Sequence, residues 1–582
     1  MIKKIIYQSL TKKPQVSCVK YTGAARRVGK LASLQNSTIR FAKTLAFVIA
    51  MSRFAFGVGG ELTVSISEED TDTPTIARFE MHRVDAPNKT LPIRRTVPAG
   101  IGVILDRELL LEMPEANYLF KLTRGPEYRL ITGTFALERS SLDSHHVQLP
   151  RMANLLEEGW VSGDCATPAS DASLPLRMAS EDCHVAASIG EILAKPIAGR
   201  DEDDPIVFEP SWTRSDLQVD DGIAFYGVDS ITTAPNARDI PTTNQGREDT
   251  ANGDEQTEPN QSANQPIPGS LRQPLMIERI LAADQAAGSR VAIENPFAWP
   301  LPVWLASERI DGIFLMGDWL RFDRQVKTLP ESRPPQGPSV GDGRTLGRWA
   351  EKIYWNLLEA GFRLPPLAGT GDQCGKTPVG YNRLYVAADD QSPGTDHPLH
   401  VCRPDTNEAW WQSAWKGKSV VTNGPLLRPK LAGRVPGYVF TANRGEKLVL
   451  QPELNLSVRD PVEYLEVIHN GEVHYSARLD EFAKAGGVIP SLEVEESGWV
   501  TMRVATLHED HFRAALSAPW YIEFDSKPRI TTDGVKFFQT WQAEYEARLA
   551  KLPSTDIQRH APYVIASRQF WSERLAQANA DR

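Results

Sequence analysis

Gly159-Trp160-Val161-Ser162-Gly163-Asp164 reads as a short buried strand ending on a carboxylate. Ala179-Ser180-Glu181-Asp182-Cys183-His184-Val185 reads as the end of a helix running into a second strand. The alternation continues through residues 151–427, with apolar runs at 291–294 and 310–316 and an amphipathic helical pattern at 347–361. Strand-like runs separated by helical patterns define an α/β arrangement, so this block sets the architecture into which the rest must fit.

The flanks are different. Leu62-Thr63-Val64-Ser65-Ile66 alternates between apolar and polar residues, and residues 76–81, 118–122 and 132–138 do so more loosely. Together they predict a small β-sandwich over 60–150. Residues 447–451, 464–469, 472–475, 499–504 and 520–524 predict a second sandwich over 428–526, with Asn470-Gly471 as a type I′ hairpin turn. A helical tail at 527–582 is expected to pack on the domain before it. Residues 232–265 nearly lack large apolar side chains and read as a disordered insertion. A chain of 582 residues is too long for one core, so the fold class is multidomain α/β plus β.

Residues 1–59 form a basic leader with an apolar run at 44–51, too short to span a bilayer. The order of basic region, apolar run and small residues reads as an export signal, in preference to a cytoplasmic chain with a disordered tail. No transmembrane helix is expected beyond that segment. A net charge of -10 gives no electrostatic footprint for nucleic acid. Among the five cysteines, Cys165 and Cys183 read as two reduced, buried thiols; a disulfide between them is the alternative in an exported chain. Fourteen tryptophans suit either sugar stacking or hydrophobic cores.

The segment from Trp160 to Asp164, with its spacing to Glu181-Asp182-Cys183-His184-Val185, resembles the entry to the polymerase-and-histidinol-phosphatase (PHP) metallohydrolases. It is most similar to the CehA/McbA-like branch of large secreted bacterial proteins. Residues 291–306, 310–319, 347–366, 368–372, 378–386 and 410–425 carry the resemblance further. It implies a distorted PHP-like (β/α) barrel between the two sandwiches. In that family the first strand ends in aspartate-x-histidine-x-histidine, which ligates metal; here Asp164 is followed by Ala166 and Pro168, whose side chains have no lone pair to give. Where an asparagine-histidine pair ends a later strand, this chain has Gly317-Asp318-Trp319.

The resemblance leaves Asp164, Glu181, Asp182, His184, Glu294, Asp318 and Asp372 as candidate metal ligands, with no catalytic residue assigned. His397 and His400 fall in a polar loop, and His508 and His511 are expected in the second sandwich, away from the barrel. The reading is therefore a degenerate metallohydrolase relative, retained for binding or scaffolding, with no cofactor expected. The rival is a living metal-dependent hydrolase of a phosphoester, amide or ester, using manganese, zinc, iron, magnesium or calcium at an oxygen-rich site. A third reading is a glycan-binding surface protein. The partner class is a glycan, a small molecule or a protein at the cell envelope.

Overall fold

The computed structural model describes residues 59–168, 172–190, 211–227, 273–283, 288–322, 324–336, 342–371, 376–387, 406–508 and 511–580. The leader up to residue 58 and the insertion at 232–265 lie outside the described residues. The fold is multidomain and mostly β, with helices in the central block and at the C-terminal end.

In the N-terminal unit, alternation along Gly60–Glu68 turns Leu62, Val64 and Ile66 to one face, because successive strand side chains point to opposite sides. These residues share a core with Phe79, Met81, Phe120 and Leu122 of a second sheet. The first sheet sets Gly60–Glu68 between Glu108–Met113 and Leu142–Leu149. The second is five-stranded and centres on Ile76–Arg83 and Ala116–Thr123. Most side chains of Leu142–Leu149 are exposed, and only Val147 and Leu149 reach the shared core.

The central block opens with Trp160–Thr167, buried along its whole length. Asp164 does not end this strand, as the sequence suggested; the chain stays extended through Cys165 and Ala166 to Thr167. Val185–Ile189 and Trp212–Asp220 follow in parallel, Ile223–Tyr226 turns back, and Arg290–Ile293, Gly312–Met316 and Pro366–Ala368 resume the parallel order. Strands with both faces covered are expected to be apolar throughout, as Ile223–Tyr226, Gly312–Met316 and Pro366–Ala368 are, whereas Trp212–Asp220 is polar and only Leu217 in it is fully buried. The far end of the sheet then curls back toward its start. Past Pro366–Ala368, the Gly371 N–H donates to the Ala166 carbonyl at 2.8 Å.

On its other side Trp160–Thr167 pairs antiparallel with Arg383–Ala387, which pairs with Ser419–Thr422. Ser419–Thr422 continues into Ala514–Ser517, Gly498–Thr506, Val462–His469 and Glu472–Ala477. One fifteen-stranded sheet thus runs unbroken from the central block into the C-terminal β unit. Asn470 (φ 51°) and Gly471 (φ 77°) form the turn in the left-handed conformation that a type I′ hairpin needs.

The helices Thr532–Leu549 and Ser554–Ala576 pack on Leu301–Leu305 of the central block, and the first of them also on Thr345–Glu359. This corrects the expectation that they would cover the second β unit. Aromatic contact decides it: Trp541 lies 6.4 Å and Phe537 6.0 Å from Trp349, while Phe538, 5.1 Å from Trp571, joins the two helices to each other. Arg333 adds a two-pronged bond to Glu544 at 2.7 and 2.8 Å, with its guanidinium 4.6 Å above Trp541.

Gly347 lies in Thr345–Glu359 where a Cβ would overlap the Phe512 ring. Gly347→Ala is expected to destabilise the protein by up to about 2 kcal/mol, since overpacking at about 1–3 kcal/mol is set against a helix-propensity gain of about 1 kcal/mol. A lower urea midpoint at unchanged slope is the expected reading; a raised midpoint overturns the packing argument.

Candidate functional site

Asp164 is fully buried. Its Oδ1 accepts the N–H groups of Ala166 (3.1 Å) and Thr370 (3.0 Å). Its Oδ2 accepts the Thr370 hydroxyl (2.5 Å) and the Gly380 N–H (2.8 Å). A carboxylate has about four lone-pair sites, and protein donors take all of them. Burial pushes the acid up to about 6, against the downward pull of these hydrogen bonds. The residues around Asp164 do not fit a metal ion: coordination would have to displace buried N–H and O–H donors, and Ala166 and Pro168 supply no ligand. Neighbouring Cys165 and Cys183 are free, buried thiols, and burial pushes Cys183 up to about 12.

Glu181, Asp182 and His184 sit between the helix Leu174–Ser180 and the strand Val185–Ile189. Their partners are arginines. Glu181 Oε1 accepts Arg78 Nε at 2.5 Å, and Arg78 also pairs with Glu80. Asp182 Oδ2 accepts Arg151 Nη2 at 2.8 Å, while Arg124 Nη2 stands 3.7 Å from Oδ1. Although burial opposes it, the cations of Arg151 and Arg124 hold the Asp182 carboxyl below its usual range. Arg151 is shared with Glu127, whose carboxylate also accepts Leu155 N–H at 2.8 Å and the Tyr385 hydroxyl at 3.0 Å. Burial and the nearby Asp182 charge push Glu127 up to about 7. The carboxylates expected to ligate metal thus join the N-terminal β unit to the central block through guanidinium groups.

The Ser162 hydroxyl donates to the Asp182 carbonyl at 2.9 Å, so its contact with His184 Nδ1 at 3.0 Å is donated by the imidazole. Burial lowers His184 to about 4, leaving it neutral. Glu294, at the end of Arg290–Ile293, is partly buried. Asp318 pairs with Arg321 Nη2 at 3.1 Å and lies against Gly371, beside the segment that holds Asp164. Asp372, His397 and His400 lie outside the described residues. His511 departs from expectation: it borders Trp319, Leu320 and Arg321 at the end of a central strand, with its ring 5.2 Å from that of His508. Among the described residues, no three His, Cys, Asp or Glu side chains gather where they could hold a metal ion.

Beside Glu181 a cleft opens where the N-terminal unit, the central block and the C-terminal unit meet. Its empty space is ≈ 390 Å³, open solvent at the mouth included. Arg78, Arg383, Arg459 and Arg513 line it, together with Glu181 and Tyr381. Gly125 (φ 57°) and Gly380 (φ 68°) keep the walls close: a Cβ on the first would strike the Glu181 carbonyl, and one on the second would sit 2.9 Å from the Cys183 sulfur. The sequence reading did not single out these arginines. One signal was present: Arg78 and Glu80 interrupt an apolar strand at alternate positions, so both point the same way.

Glu127 and Asp164 take up a proton in the folded protein before the unfolded chain does. The stability they contribute is present below 4.5 and 3.8 and is lost as pH rises through about 7 and about 6. His184 acts in the opposite sense, its contribution being lost as pH falls from 6.5 through about 4. Glu127→Gln is therefore expected to flatten the fall in unfolding free energy between pH 4.5 and about 7. Urea titrations across that range measure it, and a slope unchanged from the parent protein refutes the assignment.

No family model matches the sequence, and no curated protein matches it. Among solved structures, the Bacillus anthracis TIE protein aligns at 16% identity and a TM-score of 0.13. That alignment covers 20% of this chain and 20% of that protein, a likeness too slight to carry a fold or a function across.

Proposed function

We propose that this chain is an exported relative of the PHP-type metallohydrolases whose curled central sheet serves as a scaffold for binding, without metal-dependent turnover. The carrying observation is the full occupation of the Asp164 carboxylate by Ala166, Thr370 and Gly380. In a working site of that kind, the equivalent carboxylate would present lone pairs to a metal that activates water. The return of Gly371 onto Ala166 supports a distorted barrel as the form of the central block. Export rests on the basic leader and its apolar run. The glycan reading loses its main support, because ten of the fourteen tryptophans are buried and the other four are partly buried, so they build cores and not platforms.

Elemental analysis after separate loading with manganese, iron and zinc is expected to find well under one metal per chain. Asp164→Ala is expected to cost about 2–5 kcal/mol of stability by stranding buried donors, with metal content unchanged. Ala166→His, which restores a family ligand, is expected to destabilise by about 1–3 kcal/mol, because the site is packed. Ala166 is fully buried, and a Cβ on Gly369 would already stand 2.7 Å from its nitrogen. Near-stoichiometric metal that disappears in Asp164→Ala or Asp318→Ala would overturn the scaffold reading.

A further inference from the structure

The arginine-lined cleft carries more positive charge than its own carboxylates neutralise. Arg78 is paired with Glu80 and Glu181, and Arg513 with Asp460 at 2.9 Å. Arg383 donates to the carbonyls of Gly380 (2.5 Å) and Glu181 (3.1 Å). Arg459 makes no ion pair among the described residues; its hydrogen bond goes to the Tyr128 carbonyl at a long 3.5 Å. Burial and the like charge of Arg513 lower Arg459 to about 10, against the upward pull of Asp460 and Glu181. The four guanidinium groups thus face three carboxylates: Glu80, Glu181 and Asp460.

The cleft walls come from four separate stretches: Arg78 on Ile76–Arg83, Arg383 on Arg383–Ala387, Arg459 between Pro452–Ser457 and Val462–His469, and Arg513 just before Ala514–Ser517. Gly424 completes the wall beside Arg513, where a Cβ would stand 3.3 Å from Nε and Nη2. Four guanidinium groups facing three carboxylates leave one positive charge in that space unmet, an excess that a group of opposite sign entering it would offset.

We propose that this cleft binds a phosphate group, as free inorganic phosphate or as a phosphate monoester, between the guanidinium groups of Arg459 and Arg513. Planar guanidinium forks match the oxygen spacing of a phosphate and bond it in two-pronged fashion. Arg383, with Arg78 and its carboxylate partners, forms the buried floor, and the open mouth accommodates an ester substituent. The ligand supplies the charge that the protein lacks there and bridges all three units. This assignment is independent of any metal at Asp164.

The test is calorimetric titration and thermal melting of the full chain with sodium phosphate, sodium sulfate and phenyl phosphate, against sodium chloride at matched ionic strength. Phosphate is expected to bind and raise Tm, with chloride inert. Binding of phosphate alone assigns the free ion; binding of phenyl phosphate as well assigns the monoester. Arg459→Gln is expected to weaken phosphate binding at least tenfold without lowering the Tm of the free protein, since it breaks no ion pair. Arg513→Gln is a second variant against the same site. Arg568→Gln, on the distant exposed pair with Glu546, keeps the full response. Absence of a phosphate-specific response in the parent protein, or an undiminished one in a folded Arg459→Gln, overturns the proposal.

Discussion

The carboxylate of Asp164 is the point from which the central block is held. It ties Trp160–Thr167 to Thr370 at the far end of the sheet and to Gly380 in the segment entering Arg383–Ala387. Donors 206 and 216 residues away in sequence therefore converge on its two oxygens. Main-chain N–H groups in a dry interior need acceptors, and an internal carboxylate serves several at once. The cost is a charge buried in apolar surroundings, which is why burial raises its pKa to about 6 despite four hydrogen bonds. A motif associated with ligating metal works here as a brace.

The same exchange of roles extends to Glu181 and Asp182. In the resemblance they stand near a metal centre; in the structure, arginines from the N-terminal unit meet them. A guanidinium answers a carboxylate's charge and hydrogen-bonding needs together, so the pairing both neutralises and orients. Such buried pairs are weak sources of net stability, yet they are strongly selective for one arrangement of the units, because removing one partner strands the other, a cost of about 3–5 kcal/mol.

Much of the fold was legible in local pattern. The helix Thr345–Glu359 with Gly361 at its end, the Asn470-Gly471 turn and the inward alternation of Leu62, Val64 and Ile66 all follow from periodicity and backbone preference. The joining of the two β regions into one sheet was not legible, because hydrogen bonds between Ser419–Thr422 and Ala514–Ser517 leave no mark on either stretch alone. Nor was the partner of Glu181, since Arg78 lies 103 residues away and only the folded chain brings the two together. The absence of histidines at 166 and 168 was plain, but what had replaced their chemistry was not: Thr370 and Gly380 announce nothing as acceptors' partners until the sheet has curled.

The unbroken sheet has a bearing on how the chain is made. During synthesis Ser419–Thr422 emerges well before Ala514–Ser517, the strand that covers its outer side. Until then the growing polypeptide presents an open row of N–H and C=O groups, the arrangement most prone to pairing with another molecule. The aromatic face of Thr345–Glu359 likewise waits for Phe537 and Trp541, which follow it far later in the chain. The most adhesive surfaces of the central block are thus covered only by strands and helices that lie far later in the chain.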